Sequence, residues 1–462
     1  MTIATTAPAI ATIPAPEALL VGQDLAIPLR NGQVTRPINF DHAASTPALQ
    51  AVRETVDRFL NWYSSVHRGT GFTSQLSTQA YEDARAIVGR FVGACLDQHV
   101  VIFGANTTWA LNKLARRLNF QPGEVVITSQ LEHHANDLPW RQVATVTYAR
   151  CDSQGRLDLD HLRTLLRRHA GKVRLVSITG GSNVTGHIPD LATIATLAHA
   201  AGAQFAVDAA QLAPHRAIDL GDLSDPTHID YVAFSGHKLY APYGSGVLIG
   251  RRDTFANGIP ESVGGGTVRR VTADTVEWAS TPARDEAGTP NVVGAVALAA
   301  ATQALQQIGF AALAEHETQL TALALRELGR MPGIQIYGDP RPETAHKRLG
   351  VIPFRIEGLD HRLVAAILSY EYGIAVRAGA FCAHPYVQHL IESDASCRED
   401  APAGLVRASI GLATTEEDVL RLSAALRTIA TQGTRSDYHY DATHGSYHPA
   451  DWQPNLAAAF SF

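Results

Sequence analysis

The segment Asp230-Tyr-Val-Ala-Phe-Ser-Gly-His-Lys-Leu-Tyr-Ala-Pro-Tyr-Gly-Ser-Gly-Val247 decides how this chain is read. An apolar strand, Tyr231 to Phe234, runs into small and polar residues, presents one lysine, Lys238, and turns through Gly244 and Gly246. A lysine at a strand end beside Ser235 and His237 packs poorly, but it suits an amine that forms a Schiff base. Upstream, the strand Gln204-Phe-Ala-Val-Asp208 ends in a carboxylate, with Gln211 just beyond. A carboxylate there can pair with a pyridinium nitrogen. Together the two strand ends point to a site for pyridoxal 5′-phosphate (PLP).

Outward from this segment the chain alternates strands and helices. Val125-Val-Ile-Thr-Ser, Val173-Arg-Leu-Val-Ser-Ile-Thr and Gly246-Val-Leu-Ile-Gly read as further strands. Ala192 to Ala201 and Asp160 to His169 read as helices. Such alternation predicts an α/β fold with a mostly parallel sheet covered on both faces. Ligands of these sheets collect at the carboxyl ends of strands, where Asp208 and Lys238 both lie. Past Ile308 the pattern changes. A helix over 311–329, strands at 349–356, 373–377 and 405–410, and a helix over 415–431 predict a smaller α+β domain. The expected division is a lead-in over 1–35, rich in Ala, Pro and Thr and extended or disordered; a large PLP-binding domain over 36–300; a small domain over 301–432; and an aromatic, His-rich tail over 433–462.

Composition bounds the rest. The 462 residues are 45% hydrophobic and 18% charged, an ordinary globular profile. A net charge of −6 leaves no footprint for nucleic acid or an anionic membrane surface. Cys95, Cys151, Cys382 and Cys397 show no CxxC spacing, which fits a reducing, cytoplasmic setting and argues against a cysteine-based zinc site. The N-terminus lacks the basic start and apolar run of a secretory signal. The nearest candidate for a membrane span, the Ala-rich run 292–307, is short and ends in Gln-Gln, as a core helix would.

A PLP phosphate needs hydroxyls and N–H groups at a helix start. Gly104-Ala-Asn-Thr-Thr-Trp supplies them, although the same residues also make an ordinary N-cap. Leu131-Glu-His-His-Ala-Asn offers His133 or His134 to stack on the ring, although paired histidines are more often surface or core residues. In Val376-Arg-Ala-Gly-Ala-Phe-Cys-Ala-His-Pro a cysteine follows a strand in a loop beside an arginine, a setting that favours thiolate character over the usual buried cysteine. The tail histidines His439, His444 and His448 read as an unstructured or surface-packed tail rather than metal ligands.

Taken together, Asp41-His-Ala-Ala-Ser-Thr, Val66-His-Arg-Gly, Glu132-His-His-Ala-Asn, Ser182-Asn-Val-Thr-Gly, Val207-Asp-Ala-Ala-Gln, Ser235-Gly-His-Lys, Glu286-Ala-Gly-Thr-Pro-Asn, Arg377-Ala-Gly-Ala-Phe-Cys and Arg407-Ala-Ser resemble, in order, the motifs of the PLP-dependent class V aminotransferase family. The similarity is greatest to cysteine desulfurases with a short active-site cysteine loop and to selenocysteine lyases. The resemblance runs from about Asn39 to Ala430.

It implies a PLP-dependent transferase fold of type I and assigns roles residue by residue. Lys238 would carry the cofactor, Asp208 would pair with its ring nitrogen, Gln211 would contact its phenolic oxygen and His133 would stack on it. Thr108, Ser235 and His237 would hold the phosphate. Thr289 would reach the phosphate of a second subunit, making a homodimer part of the site. Asn183 and Arg407 would hold the carboxylate of L-cysteine or a related amino acid, with His67 and Arg68 near the entrance. Cys382 would take the substrate sulfur as a persulfide for an acceptor protein. No metal enters this scheme.

Three departures set this chain apart. Ala380 and Phe381 stand where the desulfurase motif has two histidines. Trp109 replaces a glutamate after the paired threonines. An extra acidic segment, 392–400, lengthens the stretch between Cys382 and Arg407. The first departure keeps a C–S lyase, an aminotransferase or an epimerase open as alternatives.

Overall fold

The computed structural model describes residues 19–152, 154–393, 404–434 and 437–462. Seven strands form the central sheet: β1 (His99–Gly104), β2 (Val125–Ser129), β3 (Thr145–Ala149), β4 (Val173–Thr179), β5 (Gln204–Asp208), β6 (Tyr231–Ser235) and β7 (Gly246–Arg251). Their spatial order is β1-β7-β6-β5-β4-β2-β3. All neighbours are parallel except β7, which runs antiparallel to both β6 and β1. The strands expected from apolar runs are all present. The edge strand β3 is mostly half-exposed, so it carries no apolar run to read.

Helices cover both faces of the sheet. Val101 and Phe103 of β1 face a core shared with α1 (Phe72–Phe91). Their neighbours Val100 and Ile102 face the opposite core, with α2 (Thr107–Arg117). This is the period-two alternation of a sheet buried on both sides. α3 (Leu191–Ala200) precedes β5, and the alanines of α4 (Val292–Ile308) are buried in the first core. Among the described residues no single helix is long and apolar enough to cross a membrane. Only α4 and α5 (Phe310–Gly329) pass such a test together, and they are bent by 77° at their junction.

A second core lies over a four-stranded antiparallel sheet of β8 (Ile334–Ile336), β9 (Val351–Ile356), β10 (Arg377–Gly379) and β11 (Leu405–Ser409), in the order β8-β9-β11-β10. It packs against α5, α6 (His361–Tyr372) and α8 (Glu416–Gln432), with α7 (His384–Glu392) between β10 and β11. Ile38–Asn39 pairs in parallel with Ile374–Ala375, and Ile38 and Phe40 are buried in this second core. The first regular piece of the chain thus joins its C-terminal part and carries Asp41 with it.

The lead-in from residue 19 holds a short antiparallel pairing of Ile27–Pro28 with Val34–Thr35, and Leu20 is buried. The tail forms a hairpin of β12 (Tyr438–Asp441) and β13 (Ser446–Pro449). The hairpin is fixed to α6 by Tyr438 Oη, which donates to Glu371 Oε1 at 3.1 Å, and by the Arg362 guanidinium 4.5 Å from the Tyr440 ring centroid. Aromatic rings spaced along a hairpin replace the missing helical period, so the tail is surface-packed. From residue 394 on, the acidic segment 392–400 and its Cys397 lie outside the described residues.

Candidate active site

A cavity of about 370 Å³ opens at the carboxyl ends of β5 and β6, within the range of small-molecule sites. Lys238, Asp208, Gln211, His133, Thr108, Ser235, His237, Asn183, Arg407 and Cys382 all line it. Thr289, His67 and Arg68 do not. Thr289 lines a second cavity of about 260 Å³ with Trp109 and Lys113. His67 lies on an exposed loop, its Nε2 3.6 Å from Glu82 Oε1, and Arg68 is exposed beside it.

The sheet register explains the first pair. Asp208 is the cross-strand partner of Ala233, so the end of β5 sits just before the turn that carries Lys238. Burial lowers the Lys238 amine to about 8, against the opposing pull of Asp208. Burial raises Asp208, while the Ala210 N–H donates to its Oδ1 at 2.9 Å. Gln211 Nε2 donates to the Ala43 carbonyl at 2.7 Å, which ties this corner to the N-terminal segment.

The phosphate end is built from α2. Asn106 caps it, accepting from the Trp109 N–H at 2.9 Å. The Thr107 N–H donates to Ser235 Oγ at 2.8 Å, and the two hydroxyl oxygens lie 2.7 Å apart. Thr107 therefore joins Thr108 and Ser235 here, although the sequence reading assigned only Thr108. Gly246 permits the close approach, because a Cβ there would sit 2.4 Å from the Asn106 main chain.

The His133 Nδ1 accepts from the Ala135 N–H at 3.0 Å, which leaves Nε2 to carry the proton of a neutral ring. Burial, then the Lys238 charge, lowers this imidazole to about 4. Beneath it, Glu132 is buried and pushed up to about 8; it accepts from Ser129 and from Asn136 Nδ2. Asn136 in turn accepts from Ser177 Oγ at 2.6 Å and Trp140 Nε1 at 3.1 Å. Glu132 is legible in the sequence only as a motif member; its place in this network comes from the fold.

The opposite wall comes from the second core. Arg407 is 3% exposed. Its Nη1 donates to the Asn183 carbonyl at 2.9 Å, its Nη2 lies 3.3 Å from Asp41 Oδ1, and its Nε has no partner among the described residues. Arg377 pairs with the same Asp41 at 2.7 Å. Burial lowers Arg407 to about 10, with Asp41 pulling the other way. Asp41 and Arg377 were also legible only as motif members.

Cys382 follows β10 in a tight turn. Phe381 and Cys382 have φ of 52° and 53°, the left-handed region that costs a non-glycine residue roughly 1–2 kcal/mol. Three hydrogen bonds hold the turn. Asn183 Nδ2 donates to the Phe381 carbonyl at 2.7 Å, the His134 N–H to the Cys382 carbonyl at 2.8 Å, and the Ala383 N–H to the Ala380 carbonyl at 2.8 Å. No histidine precedes Cys382, but the fold brings two to its loop. The His134 ring stacks on His384, with centroids 4.9 Å apart; His134 Nε2 accepts from the His384 main-chain N–H at 3.4 Å and lies 3.2 Å from His384 Nδ1.

A lysine and a carboxylate at adjacent strand ends, facing a helix N-terminus across one cavity, define a cofactor-dependent α/β enzyme of the PLP type. The comparisons agree. The model of the Aminotransferase class-V family matches residues 38–422. A cysteine desulfurase of Dickeya dadantii is 36% identical over 408 residues, covering 86% of this chain and 93% of that protein. A cysteine desulfurase of Haloferax volcanii is 35% identical over 376 residues, covering 79% and 85%. The apo structure of the cysteine desulfurase from Thermococcus onnurineus superposes with a TM-score of 0.76 at 32% identity, covering 85% of this chain and 94% of that one. The cysteine desulfurase CsdA from Escherichia coli gives 0.72 at 33% identity, covering 84% and 94%. The chain belongs to the class V aminotransferase family and, within it, to the cysteine desulfurase branch, with the type I fold of PLP enzymes.

Proposed function

We propose that the protein is a PLP-dependent cysteine desulfurase that moves sulfur from L-cysteine to Cys382 and releases L-alanine. The observation that carries this reading is the convergence of Lys238, Asp208, Arg407 and Cys382 on one cavity. The donor set fits the cofactor: an amine with a depressed pKa, a buried carboxylate, and hydroxyls at a helix start.

When bound, PLP supplies an electron sink for the bonds at the substrate Cα. Lys238 would anchor it and, once displaced, carry the proton at Cα. Asp208 would keep the ring nitrogen protonated, Gln211 would face the phenolic oxygen, and the neutral His133 ring would cover one face. Thr108, Ser235 and His237 would hold the phosphate, joined by the Thr108 N–H in the first turn of α2.

Arg407 would bind the substrate carboxylate together with the Asn183 amide. The Cys382 thiolate would attack the substrate sulfur. A new S–S bond forms, the Cβ–S bond breaks with its electron pair on carbon, and that carbon takes up a proton. Cys382 is left as a persulfide, whose outer sulfur passes to an acceptor protein.

The reading includes a homodimer. Thr289, His67 and Arg68 reach no part of their own cavity, and Leu60, Trp62, Tyr63 and Phe72, on the chain either side of His67 and Arg68, are large, apolar and exposed. A second subunit would cover them and receive Thr289 at its phosphate end. A thiol that must stay reduced favours a cytoplasmic setting.

A C–S lyase is the second reading, favoured by one observation: Phe381 offers no proton carrier beside Cys382. The product formed from L-cysteine separates the two. Desulfuration yields alanine and, with a thiol reductant, one equivalent of sulfide, and Cys382→Ala abolishes both. Pyruvate and ammonia, undiminished in Cys382→Ala, would establish the lyase.

A further inference from the structure

The wall of the cavity that carries Arg407 holds a charge pattern that substrate binding alone does not require. Arg377 of β10 and Arg407 of β11 are direct cross-strand partners, and like charges so placed repel. Among the described residues a single carboxylate pairs with either of them, and it pairs with both. Asp41 Oδ2 lies 2.7 Å from Arg377 Nη2, and its Oδ1 lies 3.3 Å from Arg407 Nη2. Arg407 is buried, while the Arg377 side chain is half-exposed.

The main chain fixes Asp41 in this position. The Phe40 N–H donates to the Ala375 carbonyl at 2.8 Å, and the Phe40 carbonyl accepts from the Ser409 N–H at 2.6 Å. These partners stand just before Arg377 and just after Arg407, so the segment is wedged between the two strands that carry the arginines. The Asp41 N–H is itself tied to Asn39 Oδ1 at 2.8 Å. A carboxylate on so constrained a backbone is a permanent part of the wall rather than a swinging gate. It also arrives from behind. Asp41 lines not the catalytic cavity but a neighbouring one of about 420 Å³, and Arg377 and Ala44 line both. The cavity side of the wall is thereby left to the substrate.

We propose that Asp41 sets the charge selectivity of the site. By holding Arg377 it leaves one positive charge, that of Arg407, to be met by the substrate. The cavity then admits amino acids with a single carboxylate and disfavours those whose side chain is anionic. The inference rests on the reading of Arg407 as the partner of the substrate carboxylate. One arginine and one carboxylate balance, and an unbalanced charge in a buried site is costly. A second anionic group on the ligand would find the Arg377 cation already engaged and the Asp41 charge behind it. With the Asp41 charge removed, Arg377 becomes an unpaired cation on the cavity wall and offers that group a partner. Selectivity of this kind acts against the wrong ligand rather than for the right one. Asp41 touches no substrate atom; it determines specificity through Arg377.

The test titrates the purified full-length holoenzyme with L-alanine and with L-aspartate, which is alanine with a carboxylate on its methyl carbon. Binding is read from the change in the cofactor's visible band. The wild type should hold L-alanine at least about tenfold more tightly than L-aspartate. Asp41→Asn keeps the shape and removes the charge, and should move that ratio at least about tenfold towards L-aspartate. Adding Arg377→Gln to Asp41→Asn should undo the move, because the released cation is gone. A merely structural Asp41 would weaken both amino acids in parallel, and an unchanged ratio overturns the proposal. Should Asp41→Asn fail to fold, the wild type still decides: L-aspartate bound as tightly as L-alanine overturns it. A band that responds to L-alanine while the ratio stays fixed rejects the role of Asp41 alone. A band that responds to neither amino acid nor to L-cysteine rejects the role of Arg407, and this inference with it.

Discussion

The ring of Phe381 lies over the guanidinium of Arg407, with the ring centroid 4.8 Å from Cζ. Where relatives of this kind carry a proton carrier, this chain places an aromatic face against its buried cation. The ring shields the arginine from water and holds its plane. A desolvated cation–π contact is worth roughly 0.5–2 kcal/mol. Phe381→Leu keeps apolar cover and removes the ring quadrupole. It should raise KM for L-cysteine about 2- to 30-fold while kcat changes little, as steady-state kinetics would show. An unchanged KM would reduce Phe381 to a space-filler.

The depressed amine of Lys238 makes a prediction about cofactor loading. Only the neutral amine attacks the PLP aldehyde. The rate of reconstitution of the apoprotein should therefore rise with pH and level off past about 8, rather than climbing towards 10.5. Asp208→Asn removes the charge that holds the amine up, and should move the midpoint lower still. Lys238→Ala should lose the visible band of the bound cofactor. A midpoint near 10.5 in the wild type would mean that the amine is solvated.

His134 is the acceptor that tethers the start of α7 to the cysteine loop. His134→Ala loses two hydrogen bonds of about 1 kcal/mol each, so exchange of amide hydrogens over 380–392 should accelerate about tenfold or more. The cofactor band should stay as it is. Protonating His134 removes the Nε2 lone pair that accepts from the His384 main-chain N–H, so that bond is lost as it is in the substitution. Burial holds its pKa below 6.5, so protection is present at neutral pH and lost as pH falls well below that value. Exchange independent of both substitution and pH would show that main-chain contacts alone fix the loop.

Two sets of buried groups bracket the pH range of stability. Glu132 is raised to about 8, so the folded state holds a proton that the unfolded chain releases near 4.5. Its contribution is greatest at low pH and is lost as pH rises from about 4.5 through 8. His42 and His187, lowered to about 4 by burial, act in the opposite sense. Their contribution is present above 6.5 and lost as pH falls through 4. In urea unfolding at pH 6 to 9, Glu132→Gln should lie on a flatter stability curve than the wild type. Parallel curves would mean that Glu132 is ionised in the fold.

The sequence by itself determined the sheet and the cofactor end of the site. Fully buried parallel strands must be continuous apolar runs, so β2, β4, β5 and β6 declare themselves, and strand-end residues such as Asp208 and Lys238 inherit their position from them. The ordered motifs carried the family and the cysteine at 382. The edge strand β3 and the tail hairpin were less legible, because half-exposed strands and aromatic contacts with α6 leave no period to read. Three relationships belonged to the tertiary structure alone. Asp41 reaches Arg377 and Arg407 because Ile38–Asn39 pairs with Ile374–Ala375. His134 meets His384 because the turn after β2 packs on the loop after β10. His199 meets His228 and Asp230 because α3 packs on β5, next to the start of β6. Each contact joins residues far apart along the chain, and local periodicity has no term for such distances. Only the packing of the elements brings them together.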